Sequence, residues 1–212
     1  MQVNIQDNPV IDFLQNRRSV LARNMRTPGP DRDTLEIILS IGARVPDHGK
    51  LTPWRFVVIE GDDCAKLGDI AAMGLAERGE EPDMIAAARA QFLRAPCVVA
   101  VLACPRVHPK IPRSEQIYSA GAACMLLTAA AQAAGFAAQW LTGSAAYDTA
   151  IRARLGGGPD DEIAGFIYIG TRTEEPAERT RPPLDDIAVF ALPETSAEYC
   201  ASYFGICAHS CR

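Results

Sequence analysis

From Ile117 to Gly135 the chain carries no formal charge, and this run limits the possible folds more than any other stretch. It is long enough in principle to cross a bilayer. Its content argues against that: Ala, Gly, Ser, Thr and Gln dominate, with Ile117, Met125, Leu126 and Leu127 as the large aliphatics. Alanine gains little from lipid, and a small-residue helix with no charged face suits burial by protein on all sides. The expectation is a core helix over about Ser114 to Ala134, stopped by Gly135 where glycine commonly ends helices, and no membrane span.

The remaining chain has to supply the layers around that helix. Asn8-Pro9 opens a short helix by side-chain capping and a first-turn proline, with Val10, Phe13 and Leu14 on one face. Thr27 to Asp31 reads as a turn and a helix cap, followed by Leu35, Ile38, Leu39 and Gly42 at helical spacing. Trp54 to Glu60 reads as a strand from its aromatic and β-branched content. Helical patterns follow over Asp62–Glu77 and Pro82–Leu93. Ala95 to Cys104 is apolar at every position and so reads as a central strand. Phe136 to Thr142 and Ile163 to Gly170 complete four strands, with a short helix at Tyr147–Leu155 between them. Helices alternating with strands give an α+β sandwich with helices on both faces of a sheet.

Composition removes several function classes. A net charge of −5 opposes nucleic-acid binding, which clustered Lys and Arg drive. No basic segment followed by an apolar one opens the chain, so no secretory signal is read. Cys64, Cys97, Cys104 and Cys124 lie in or beside apolar runs, and seven cysteines is an odd number. That pattern suits reduced, buried thiols in a cytoplasmic protein. Gly156-Gly157-Gly158 does not follow a strand in a G-x-G-x-x-G pattern, so no dinucleotide fold is indicated.

Two stretches look chemical. Arg17-Arg18-Ser19 offers two guanidinium forks and a hydroxyl, which suit phosphate oxygens, although a solvated helix end reads the same way. Arg44 to Phe56 is a loop stiffened by Pro46 and Pro53 that carries His48 and feeds straight into a strand.

Together these segments resemble the small nitroreductase-like flavoproteins. The loop matches their R-x-P-D-H/S-x-x-x-x-P-W-x-F pattern, Tyr118 to Ala123 resembles their S-x-G-A-A helix, and Arg179-Thr180-Arg181-Pro182-Pro183 matches [KR]-x-[KR]-x-P. The resemblance implies a three-layer α+β fold, with a central mixed, mostly antiparallel sheet flanked by helices, in an intertwined homodimer. It implies FMN as cofactor, NAD(P)H as transient co-substrate and a small-molecule acceptor, reduced by a ping-pong scheme in the cytoplasm. By the same resemblance Arg17, Ser19, Arg179 and Arg181 bind the phosphate, while Arg18 either joins them or faces solvent. Arg44 and His48 contact the flavin, one of them conceivably from the partner chain, and Trp140, Leu141, Thr142 and Gly143 bring backbone groups to its reactive edge. Trp54 is read as a packing anchor. No catalytic side chain is implied.

One position departs from the larger members of the family, which place Lys four residues after the first Arg. Here that position is Leu21, so the positive charge that favours the anionic reduced flavin is missing from it unless Arg23 or Arg44 substitutes. The resemblance covers residues 9 to about 190 of a domain read as 1–190, leaving 191–212 as a tail with Cys200, Cys207, His209 and Cys211. Two rival readings stay open: a dimer that stores or senses FMN without turnover, and a metal-binding interaction protein acting through that tail.

Overall fold

The computed structural model describes residues 7–188 and 190, so the cysteines and histidine of the tail lie outside the described residues. By internal contacts the chain separates into Met1–Pro176 and Ala177–Arg212.

Strand β3, Cys97–Ala103, sets the architecture of the first unit. All seven of its residues are buried. Val98, Ala100 and Leu102 belong to one hydrophobic cluster, and Cys97, Val99 and Val101 to another. A strand apolar on both faces needs a layer on each. Helices α3 (Asp62–Glu77), α4 (Pro82–Ala90) and α6 (Thr149–Arg154) cover the first face through Leu67, Leu75, Ala88 and Ile151. Helices α2 (Arg32–Gly42) and α5 (Arg113–Ala133) cover the second through Leu35, Ile38, Cys124 and Leu127. The three layers follow from one strand's alternation.

Neighbours of β3 are β2 (Trp54–Glu60) and β5 (Glu162–Arg172), both antiparallel. β4 (Ala137–Leu141) pairs with β5 in turn. A fifth strand, β1 (Met25–Arg26), pairs with Thr171 and Arg172 of β5. The sequence showed four strands because two residues carry no alternation to read; pairing to β5 is what makes β1 a strand. Every pairing among the described residues is antiparallel, so the parallel component expected of the sheet is not found within them.

A β-bulge breaks the β3–β5 ladder where Val101 pairs with Gly165 and Leu102 with Ile163. Ala164 is the extra residue, and it changes the phase of the strand. Phe166 and Tyr168 therefore share a cluster with Ile163 rather than with Ile167 and Ile169.

Helix starts follow the sequence. Asn8 Oδ1 accepts the Val10 and Ile11 N–H groups at the head of α1 (Pro9–Asn16), and Asp31 and Asp148 cap α2 and α6 in the same way. Gly135, at φ 91°, ends α5, with the Phe136 N–H reaching back to the Ala131 carbonyl at 3.0 Å. Within the single chain α5 is not enclosed on all sides. Tyr118 is 72% and Met125 38% exposed, with half-buried Gly121 and Ala122 between them, so one stripe of the helix stands open. Among the described residues no helix is long and apolar enough to cross a membrane. Cys64, Cys97 and Cys124 are buried free thiols, and burial pushes the Cys124 thiol up to about 12, which leaves it inert.

The α3–α4 packing depends on a missing side chain. A Cβ on Gly68 would lie 2.1 Å from the carbonyl oxygen of Arg89, and backbone cannot swing aside. Gly68→Ala gains up to ~1 kcal/mol in helix propensity but overpacks by about 1–3 kcal/mol. A net loss of roughly 1–2 kcal/mol is expected, seen as a lower urea midpoint at unchanged slope; a midpoint at or above wild type would contradict this packing.

Candidate functional site

The segment after α1 runs beside the free edge of β4. Val20 N–H donates to the Ala138 carbonyl at 3.3 Å, and Ala22 N–H to Gln139 Oε1 at 2.6 Å. This brings Arg17, Arg18 and Ser19 to the C-terminal end of α5, where Gln132 holds them. Its Oε1 accepts from Arg17 Nε at 2.9 Å, and its Nε2 donates to the Arg18 carbonyl at 2.6 Å and to Ala138 at 3.4 Å. Arg17 Nη2 also reaches Ser19 Oγ at 3.4 Å. One amide thereby fixes the direction of a guanidinium and the backbone that carries it.

Arg17 and Arg18 wall a cavity of about 450 Å³ with Gln132, Gly135 and Arg172. That volume falls in the range of small-molecule sites. Arg172 is itself paired with Glu175 at 2.6 Å. Gln132 and Arg172 were not read as site residues from the sequence. A long amide in the alanine-rich end of α5 was the available signal for Gln132; nothing pointed to Arg172, whose place depends on where β5 ends.

Trp140 to Gly143 lie at the C-terminal end of β4. The bulge in β5 positions Trp140: the Ala164 carbonyl accepts the Trp140 Nε1–H at 3.1 Å. Gly165 leaves the space, since a Cβ there would stand 1.9 Å from that nitrogen. Trp140 faces α5, near Gly121, while Gln139 and Leu141 point to the opposite face by strand alternation. Gly143 sits at φ 63°, ψ −173°, a backbone region essentially reserved for glycine. It turns the chain away from the strand and leaves Thr142 and Gly143 exposed.

Arg44 and His48 stand elsewhere. Both are exposed, and their loop is tied to the N-terminal half of α5. Asp47 accepts the Leu51 and Thr52 N–H groups at 3.0 and 2.8 Å, and Ser119 Oγ donates to the Pro46 carbonyl at 2.7 Å. Trp54 Nε1 donates to Ser119 Oγ at 3.1 Å, and the Trp54 ring stacks on Phe56 at 5.5 Å, which makes it the packing anchor expected. His48 Nδ1 lies 2.7 Å from Glu115 Oε2. A carboxylate only accepts, so Nδ1 carries the proton and Nε2 is the nitrogen left for a ligand. Gln132 is seventeen positions beyond Glu115 on α5, about 25 Å at the helical rise. The structure therefore brings Arg17–Ser19 and Gln132 together, and keeps His48 at the other end of the same helix. Arg179 and Arg181 belong to the second unit, where both are exposed.

The cysteine–histidine pair at Cys104 and His108 is not a metal set. His108 Nδ1 accepts the Lys110 and Ile111 N–H groups at 3.2 and 3.1 Å and so pins its own loop. Among the described residues no group of three His, Cys, Asp or Glu could hold a metal.

Comparison with known proteins gives a consistent picture. The model of the nitroreductase family matches residues 14–171. A protein of Escherichia coli (strain K12) named "Putative NAD(P)H nitroreductase YdjA" is 37% identical over 161 residues, spanning 76% of this chain and 87% of the relative. A nitroreductase-like family protein from Bacillus cereus superposes with a TM-score of 0.72 at 21% identity, covering 90% of this chain and 98% of the other. A nitroreductase with bound FMN from Bacteroides fragilis NCTC 9343 gives 0.66 at 20% identity, covering 87% and 100%.

Gln132→Leu keeps the bulk of the side chain and deletes its three hydrogen bonds. Unfolding free energy is expected to fall by about 1–3 kcal/mol, with the Val20 amide exchanging faster than amides of β3. Wild-type protection at Val20 would mean that Gln132 does not hold the Arg17 segment.

Proposed function

Since the chain belongs to the nitroreductase family, we propose that it is an FMN-dependent oxidoreductase that takes electrons from NAD(P)H and passes them to a small-molecule acceptor such as a nitroaromatic or quinone. The observation that carries this reading is the Gln132-locked cation grip on a cavity beside the edge of β4. FMN, when bound, supplies the two-electron chemistry, receiving hydride from NAD(P)H and yielding it to the acceptor in a ping-pong cycle.

The donor set fits that cofactor. Arg17, Arg18 and Ser19 present guanidinium and hydroxyl donors, the groups that suit a phosphomonoester. Gln132 keeps Arg17 pointing in one direction, so little side-chain entropy is lost when an anion arrives. By the family resemblance, Arg179 and Arg181 are proposed as further phosphate ligands. The exposed backbone of Trp140 to Gly143 offers N–H and carbonyl groups to the ring, and the indole over the bulge keeps that segment in place. His48, its Nδ1 occupied by Glu115, offers Nε2. No side chain is required as acid or base, because the residues bind and orient while the cofactor reacts.

A second copy is part of the reading. His48 and Arg17 are tethered at opposite ends of α5, about 25 Å apart along the helix, a separation that favours a ring contact and a phosphate grip drawn from different chains. The open stripe of Tyr118, Gly121, Ala122 and Met125 supplies a surface of small and apolar residues on which another α5 can lie. Packed antiparallel under a twofold axis, it sets one chain's His48 and Arg44 beside the other's Arg17. Each site then takes residues from both chains.

Purified protein should be yellow, take up FMN at micromolar concentration and oxidise NADH or NADPH; a flavin-loaded protein that oxidises neither supports storage or sensing instead. The division of the site has its own test. Arg17→Ala and His48→Ala should each weaken FMN binding, His48→Ala by about 1–3 kcal/mol. Unfolded together and refolded, the two variants should form mixed dimers with one intact site, recovering roughly a quarter of the wild-type sites. Recovery of none would place both residues on the same site within one chain.

A further inference from the structure

On the face of β4 opposite Trp140 lies a second cavity, of about 360 Å³, walled by Leu21, Ala22, Arg23, Arg94, Gln139 and Leu141. Its charge is one-sided: two guanidiniums and no carboxylate line it. Five arginines elsewhere among the described residues, Arg32, Arg78, Arg89, Arg113 and Arg172, each face an Asp or Glu. Arg23 and Arg94 have no ion-pair or hydrogen-bond partner among the described residues.

The cavity is also held in shape. The 3-10 turn Ala22–Asn24 packs against the 3-10 turn Gln91–Arg94, so the two cations approach from two elements that support each other. Gln139 Oε1 is spent on the Ala22 N–H, which leaves the amide's NH2 group as its remaining function. Every polar side-chain group left to the lining residues is thus a donor, and the side chains of Leu21, Ala22 and Leu141 are apolar. Such a wall receives a flat apolar body with a negative group at one edge.

We propose that Arg23 and Arg94 form an anion subsite that selects acceptors carrying a carboxylate on the ring that is reduced. The inference rests on the flavin reading, through Leu141, which belongs both to this wall and to the segment assigned to the ring. Because the cavity adjoins that segment, a charge fixed directly to the reducible ring can reach it. The phosphates of NAD(P)H are separated from the nicotinamide by a ribose, and nothing in the cavity calls for a sugar. Charge-assisted, bidentate pairing to a carboxylate discriminates strongly against a neutral analogue, because the donors are otherwise left without an acceptor.

The test compares 4-nitrobenzoate with its neutral analogue 4-nitrobenzamide on the FMN-loaded protein. In each turnover NAD(P)H gives a hydride and solvent a proton, taking nitro to nitroso with release of one water. Wild type should favour the acid by at least tenfold in kcat/KM, and the double variant Arg23→Gln, Arg94→Gln should bring the ratio near one. As a readout independent of turnover, benzoate titrated into the oxidised protein should perturb the visible flavin spectrum, with at least tenfold weaker binding in the variant. Equal kcat/KM for acid and amide in a flavin-loaded wild type overturns the proposal alone. So does a variant that keeps its acid preference while losing FMN affinity or its NADPH-to-NADH ratio, since the charges would then serve a phosphate. A protein that takes up no FMN overturns the flavin reading and this inference with it.

Discussion

A helix without charges beyond its first turn has to find most of its partners by shape, and α5 shows how far one chain can meet that demand. The sheet takes one side of it through Leu127, Ala130 and Ala131, and α2 approaches another so closely that a Cβ on Gly42 would stand 2.4 Å from Leu127. The side that remains, from Tyr118 to Met125, is covered by no further element among the described residues. The same helix tethers both stretches, with Gln132 bonded to the Arg17 segment at one end and Glu115 and Ser119 bonded to the His48 loop at the other. Packing and chemistry therefore share one element, and the spacing along it fixes what a single chain can bring together.

Much of this was legible in the sequence because it is local. Asn8, Asp31 and Gly135 mark helix ends by bonds to residues a few positions away. β3 declares itself by being apolar at every position, and two layers follow. The cation grip was visible as Arg17-Arg18-Ser19, a contiguous run.

What the sequence hid depends on contacts between distant residues. β1 exists only because Met25 and Arg26 meet the end of β5. The bulge at Ala164 has no signature before its partner strand is known, yet it decides which face Phe166 presents and where Trp140 rests. Gln132 is one amide among alanines until Arg17, 115 positions away, is seen to share it. Arg94 lies one position beyond the helical pattern read over Pro82–Leu93 and drew no reading; only the packing of two short turns sets it on one cavity with Arg23. The spacing of a motif names donors, but which of them share a site is decided by the fold.

The distance along α5 also has a thermodynamic consequence. In a site divided between two copies, each cofactor bound is a tie across the interface, and each interface formed is half of a cofactor site. Binding and assembly then draw on the same free energy. For such a divided site, dilution below the dissociation constant of the FMN-loaded dimer acts as an eluent, drawing FMN off without any competitor, and excess FMN works in reverse as an assembly factor. The colour of such a solution is a gauge of how much of the protein is paired.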